Sequence, residues 1–188
     1  MKQLILTATL AATLFGNAAL AGASKENGFY LGGALGATEL EDDGFYTDFG
    51  YRIDDEDSSV QFNAGYKFLP SFAVEARVID LGEYRITDCC SSAELSLDAV
   101  SIHAVGIAPF GESGWELFGQ LGIGRIDFDC TSCSDETAGS VGIGIRFSPT
   151  ENIGISFQVD AYAYEETDFT GDYDVGIVTS QAGFQYLF

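Results

Sequence analysis

Apolar and polar residues alternate along this chain with a period of two, in segment after segment, up to the last residue. "VQFNAGYKF" places Val60, Phe62, Ala64, Tyr66 and Phe68 on one face and Gln61, Asn63, Gly65 and Lys67 on the other. "FAVEARV" sets Phe72, Val74, Ala76 and Val78 against Glu75 and Arg77, and "WELFGQLGIGR" sets Trp115, Leu117, Leu121 and Ile123 against Glu116, Gln120, Gly122 and Gly124. "TAGSVGIGIRF" and "IGISFQVDAYAY" repeat the pattern, with Ser140, Arg146, Gln158 and Asp160 on their polar faces. A β-strand sends successive side chains to opposite faces, so each segment reads as a strand. Adding 28–36, 95–108 and the C-terminal "VGIVTSQAGFQYLF" brings the expected count to eight. In 95–108, Ser96 and Asp98 lie in one phase and Ser101 and His103 in the other, which predicts a β-bulge near Ala99.

The connections alternate in length. Short turns fall near 69–71, 109–113 and 148–152; long connections fall at about 38–58, 82–94, 129–136 and 165–174. That order describes an up-and-down meander with both termini on its short-turn side. The long connections hold most of the acids. Lys and Arg number 8 against 29 Asp and Glu, a formal net charge of −21, which excludes a nucleic-acid partner because phosphate binding needs a basic footprint. With 46% hydrophobic and 13% aromatic residues the chain is not an acidic disordered one.

The first residues, "MKQLILTATLAATLFGNAALAGA", combine Lys2, an apolar run and two small-x-small sites, Ala19-Leu20-Ala21 and Ala21-Gly22-Ala23. They read as a secretory signal peptide over residues 1–21, with cleavage after 23 as the alternative. One domain, 22–188, is expected to follow. It contains no apolar stretch long enough for a transmembrane helix.

Alternation alone does not say which face is outside. A soluble barrel would bury the apolar face, and a membrane barrel would turn it outward. Three features favour the membrane. The polar face is mostly Gly, Ala, Ser, Asn and Gln with charges of both signs, which suits a crowded lumen. Aromatics gather near strand ends, as at Phe68, Phe72, Trp115 and Phe147, like an interfacial girdle. Strands of about ten residues also match a tilted hydrocarbon crossing, and only a closed sheet leaves no unpaired edge in lipid. The expectation is an all-β fold: an eight-stranded antiparallel up-and-down transmembrane β-barrel.

The chain closes on "SQAGFQYLF", and Phe184-x-Tyr186-x-Phe188 resembles the C-terminal signal by which the barrel-assembly machinery of bacteria recognises outer-membrane proteins. Together with "GFYLGGALG", "FNAGYKFLPSFAVEARVIDLGEY" and "VGIGIRFSPTENIGISFQVDAY", it makes the mature chain resemble the outer membrane protein A-like, porin-like family of small barrels. The resemblance implies residence in the outer membrane of a Gram-negative bacterium, beside lipid and lipopolysaccharide. No peptidoglycan-binding domain is expected after Phe188, so the anchoring role of larger relatives is not carried over.

Lys67, Glu75, Arg77, Glu116, Arg146 and Asp160 are expected inside the lumen, paired, since an unpaired buried charge costs several kcal/mol. The resemblance implies that such a network plugs the barrel; a gate that opens as pairs exchange is the alternative, and inward glycines leave space for it. His103 stands two residues from Ser101 on one face, the residue types of an activated nucleophile, but mid-strand in a lumen that a lipid ester could not reach. Cys89, Cys90, Cys130 and Cys133 are disulfide candidates in two long connections, since an exported chain meets an oxidising compartment; adjacent Cys89-Cys90 is poor zinc-ligand spacing. The acidic runs Glu39–Asp43, Asp54–Asp57 and Glu165–Asp174 lack the ordered spacing of a calcium loop and read as solvated. No cofactor and no metal is expected. The expected role is structural or adhesive, through the external connections and a possible host or surface ligand. A narrow cation-preferring pore is the alternative, and a lipid-modifying enzyme the distant third.

Overall fold

Antiparallel pairing passes from each strand to its neighbour along the chain and then returns to the first. In the computed structural model the described residues are 26–41, 52–54, 56–87, 92–111, 113–129, 135–168 and 171–188. The strands are β1 (Gly28–Glu41), β2 (Arg52–Asp54), β3 (Glu56–Leu69), β4 (Phe72–Thr87), β5 (Ser92–Pro109), β6 (Trp115–Asp129), β7 (Glu136–Phe147), β8 (Ile153–Asp168) and β9 (Gly171–Leu187). The short β2 lies along the same edge of β4 as β3, so the two make one wall strand. β1 pairs with β9 as well as with β3, from Tyr30↔Leu187 to Glu41↔Gly176, and β4 pairs with β5. The sheet is therefore a closed, eight-stranded barrel without an edge.

The short turns and both ends of the described chain lie together, with the Phe188 amide donating to the Phe29 carbonyl at 2.9 Å. Ring pairs gather at this end on the outer surface: Phe29–Phe188, Tyr66–Phe68, Trp115–Phe147 and Tyr186–Phe188, with centroids 4.8–5.9 Å apart. Above them the exterior is apolar. Phe62, Ile123 and Leu35 are each about two-thirds exposed, and Ile102, Ile143 and Phe157 are exposed beside them. A soluble barrel would bury these side chains; here they face acyl chains.

Two expectations are corrected at the far end. The long strands run 12–18 residues, not about ten, because they continue past the apolar band. The acidic segments are accordingly not all loop: β8 and β9 stay paired to Asp168↔Gly171, and Glu39, Glu56 and Asp57 belong to strands. The second correction concerns Ala99. β5 pairs with β6 in unbroken register from Ser96 to Pro109, with Leu97, Ala99, Ser101 and His103 inward and Asp98, Val100 and Ile102 outward. The irregularity is on the neighbouring strand, where Leu81 is the extra residue between Asp80↔Asp98 and Gly82↔Leu97. Gly82 has φ +98°, where a Cβ would press on the Asp57 side chain, so this bulge selects glycine.

What changes along β5 is therefore polarity, not phase. Beyond the apolar band the outward residues are Glu39, Asp80, Asp98, Arg125 and Asp127, and the inward ones are Leu40, Ile79, Leu81, Leu97, Ile126 and Ile177, all buried. Once the exterior faces water, the barrel obeys the soluble rule: apolar inside, charged outside. The lower barrel obeys the membrane rule.

Candidate functional site: the barrel lumen

Inside the lower barrel the alternation delivers one polar residue at every second position of each strand, and the register brings those of distant strands together. Arg77 of β4 is the hub. Its Nε donates to Glu75 Oε1 at 2.5 Å, its Nη1 reaches Asp160 Oδ1 of β8 at 3.4 Å, and its Nη2 donates to Gln120 Oε1 of β6. Gln120 Nε2 and Gln158 Nε2 both donate to the Asp160 carboxylate, the latter at 2.8 Å. Glu75 Oε2 accepts from Tyr30 Oη and from Asn63 Nδ2, each at 2.9 Å. Buried carboxylates are tolerable only with most of their lone pairs satisfied in this way.

A second cluster lies nearer the short turns. Glu116 of β6 faces Lys67 Nζ at 3.6 Å and Arg146 Nη1 at 3.3 Å, and the Arg146 guanidinium stacks over Phe118 with its carbon 4.7 Å from the ring centroid. The structure thus brings together all six lumen charges named from the sequence, in two groups, three positive and three negative. All six are buried. Sequence reasoning missed the uncharged members: Gln158 Nε2 also points to Gln181 Oε1 at 3.4 Å, and Gln181 Nε2 donates to Ser59 Oγ at 3.0 Å. Their signal was present, since each occupies a polar-face position, but only the register shows that they meet.

The inward glycines do not leave a path. At Gly65 the space for a Cβ is taken by the Tyr30 ring, at Gly144 by Phe118 and at Gly142 by Asp160 and Gln120. The cavity beside Arg77, Glu75, Gln120 and Gln158 measures about 10 Å³, which admits about one water. Above the network the inward side chains form a buried apolar cluster that includes Leu40, Ile79, Leu97, Ile126 and Ile177.

His103 and Ser101 do meet, with Ser101 Oγ 2.8 Å from His103 Nε2. His103 is completely buried, and its Nδ1 has no hydrogen-bond partner among the described residues, so no carboxylate orients the ring. Phe184, Tyr186 and Phe188 stand on the outer face of β9, exposed, at the short-turn end. Cys89, Cys90, Cys130 and Cys133 lie outside the described residues, as do residues 1–21. Among the described residues no group of three His, Cys, Asp or Glu is placed to hold a metal ion, and no helix is long and apolar enough to cross a membrane.

A family model described as the outer membrane protein beta-barrel domain matches residues 7–188. A sequence search of curated proteins finds no match. Among solved structures the fold is similar to Neisserial surface protein A, with a TM-score of 0.58 at 16% identity over 87% of this chain and 100% of that one. It is also similar to the outer membrane protein OprG from Pseudomonas aeruginosa, at 0.59 and 14% identity over 90% and 99% of the two chains. Ail, the attachment invasion locus protein of Yersinia pestis, solved in complex with the heparin analogue sucrose octasulfate, gives 0.54 and 17% identity over 87% and 100%. Identities this low carry the fold alone.

Proposed function

The chain belongs to the outer membrane protein beta-barrel domain family, and from that premise we propose that it is a closed barrel that holds an acidic surface outside the bacterial outer membrane to make contacts there. The observation that carries this reading is the filled lumen. Three positive and three negative charges pair with one another, glycine positions are occupied by neighbouring side chains, and the cavity beside Arg77 admits about one water. A wall of eight strands is narrow enough for side chains to fill it. A barrel that conducts little works through its ends.

The far end is the end with something to present. Among the described residues Glu75, Glu116 and Asp160 line the lumen and Glu26 and Glu151 belong to the short-turn end, which leaves 18 acids toward the far end against Arg52, Arg85 and Arg125. Ail, of the same fold, was solved with a polyanion. A surface this acidic repels polyanions, so its partner is cationic, or anionic and bridged by divalent cations as lipopolysaccharide phosphates are. The Cys89, Cys90, Cys130 and Cys133 disulfides join the proposal as clips between far-end segments; four free thiols by non-reducing mass spectrometry would remove them. The Phe184, Tyr186 and Phe188 face serves as the assembly signal in the same reading. Among the described residues no acid orients the His103 ring, and the side chain is completely buried.

Single-channel recording in a planar bilayer, with heat-shifted gel mobility as the folding control, tests the reading. A folded, silent barrel that binds cationic surfaces less tightly as salt rises is the expected result. Steady cation-selective openings would replace it with the narrow-pore alternative.

A further inference from the structure

The lumen is built in two chemically different layers, and they do not obstruct an ion equally. The network around Arg77 offers carboxylates, amides and guanidinium groups that can exchange one another for water or a passing ion. The layer above it is mostly aliphatic, with the hydroxyls of Tyr162 and Tyr164 as the polar atoms of its cluster. Ile79, Leu81, Ile126 and Ile177 are wholly buried there, Leu40, Tyr162 and Tyr164 fill in from β1 and β8, and every long strand except β3 contributes a side chain. Hydrophobic constrictions close pores by excluding water, whereas charged rings select among the ions that pass.

We propose that this apolar layer at the far end, and not the ion network, is the seal of the barrel. The network's task is then to satisfy the polar interior that a lipid-facing wall imposes; the layer's task is to keep the interior out of contact with the medium. The inference rests on the closed barrel proposed above and goes further by locating the closure. Opening by exchange of ion pairs alone is excluded by it, because an ion leaving Arg77 toward the far end still meets Ile79, Leu81, Leu97, Ile126 and Ile177, aliphatic side chains that cannot solvate it.

The experiment compares three proteins purified as full chains from membranes and recorded in planar bilayers: the natural chain, the network variant Glu75→Gln/Arg77→Gln/Asp160→Asn, and the seal variant Ile79→Ser/Ile126→Ser/Ile177→Ser. The network variant removes its charges together, so no lone buried charge confounds the result. Expected are silence from the natural chain and the network variant and a mean current at least about tenfold higher from the seal variant, since hydroxyls let water into the layer. A folded but silent seal variant, or a network variant that conducts as well as the seal variant, overturns the inference and leaves the closed barrel standing. Steady current through the natural chain overturns both. Should the triple serine variant lack the heat-shifted mobility of a folded barrel, Ile126→Ser alone decides in the same sense.

Discussion

The lower and upper parts of this barrel are the same strands with opposite rules. On β5, Val100 and Ile102 point out into lipid while Ser101 and His103 point in; four residues further on, Asp98 points out and Leu97 in. The backbone does nothing different between these positions, and the register with β6 is unbroken. What changes is the solvent outside. In hydrocarbon an outward apolar side chain costs nothing and the interior is free to be polar; in water the apolar side chains must go inside, and the barrel becomes a soluble one. The difference teaches that the wall's polarity reports its surroundings, and that the transition marks where the bilayer ends.

The comparison breaks most sharply at Arg77. Arg77→Leu leaves Glu75 and Asp160 buried without their cation and is expected to cost about 3–5 kcal/mol in urea unfolding from lipid vesicles. If it costs less than a truncation in the apolar layer, the polar interior is not held by its ion pairs. Next in size, Ile102→Arg in the lipid-facing band is expected to destabilise by about 2–4 kcal/mol, while Asp98→Arg on the same face of the same strand stays within about 1 kcal/mol. Equal costs at the two positions would place the bilayer boundary elsewhere. Gly142→Ala pushes a methyl into the Asp160 carboxylate and Gln120 amide and should cost about 1–3 kcal/mol by the same measurement. The smallest effect belongs to the exterior: Arg125→Ala removes pairs with Asp127 and Asp135 that solvent screens, and is expected to change stability by less than about 1 kcal/mol, shrinking further in high salt.

Much of the lower barrel was legible beforehand. Period two is a property of one strand, so Gln61, Lys67, Glu75, Arg77, Glu116, Arg146 and Asp160 could be assigned to the lumen without knowing which strands adjoin. Their grouping could not: that Arg77 meets Asp160 across 83 residues depends on strand order and stagger, which no single strand carries. The far end misled for a related reason. Ser96 and Asp98 against Ser101 and His103 looked like a slip of phase, because a sequence read under one rule has no way to show that the rule changes part-way up the wall.

By itself, then, the sequence determined that the chain forms eight alternating strands, that they close, and that six charges lie inside, since alternation, turn lengths and the cost of unpaired edges in lipid are local or compositional facts. The tertiary structure alone decided which charges pair, that glycine positions are filled instead of open, and that an apolar layer lies above the polar one. Those depend on which side chains from different strands reach the same height in the lumen, and that height is set by the closure of the whole barrel.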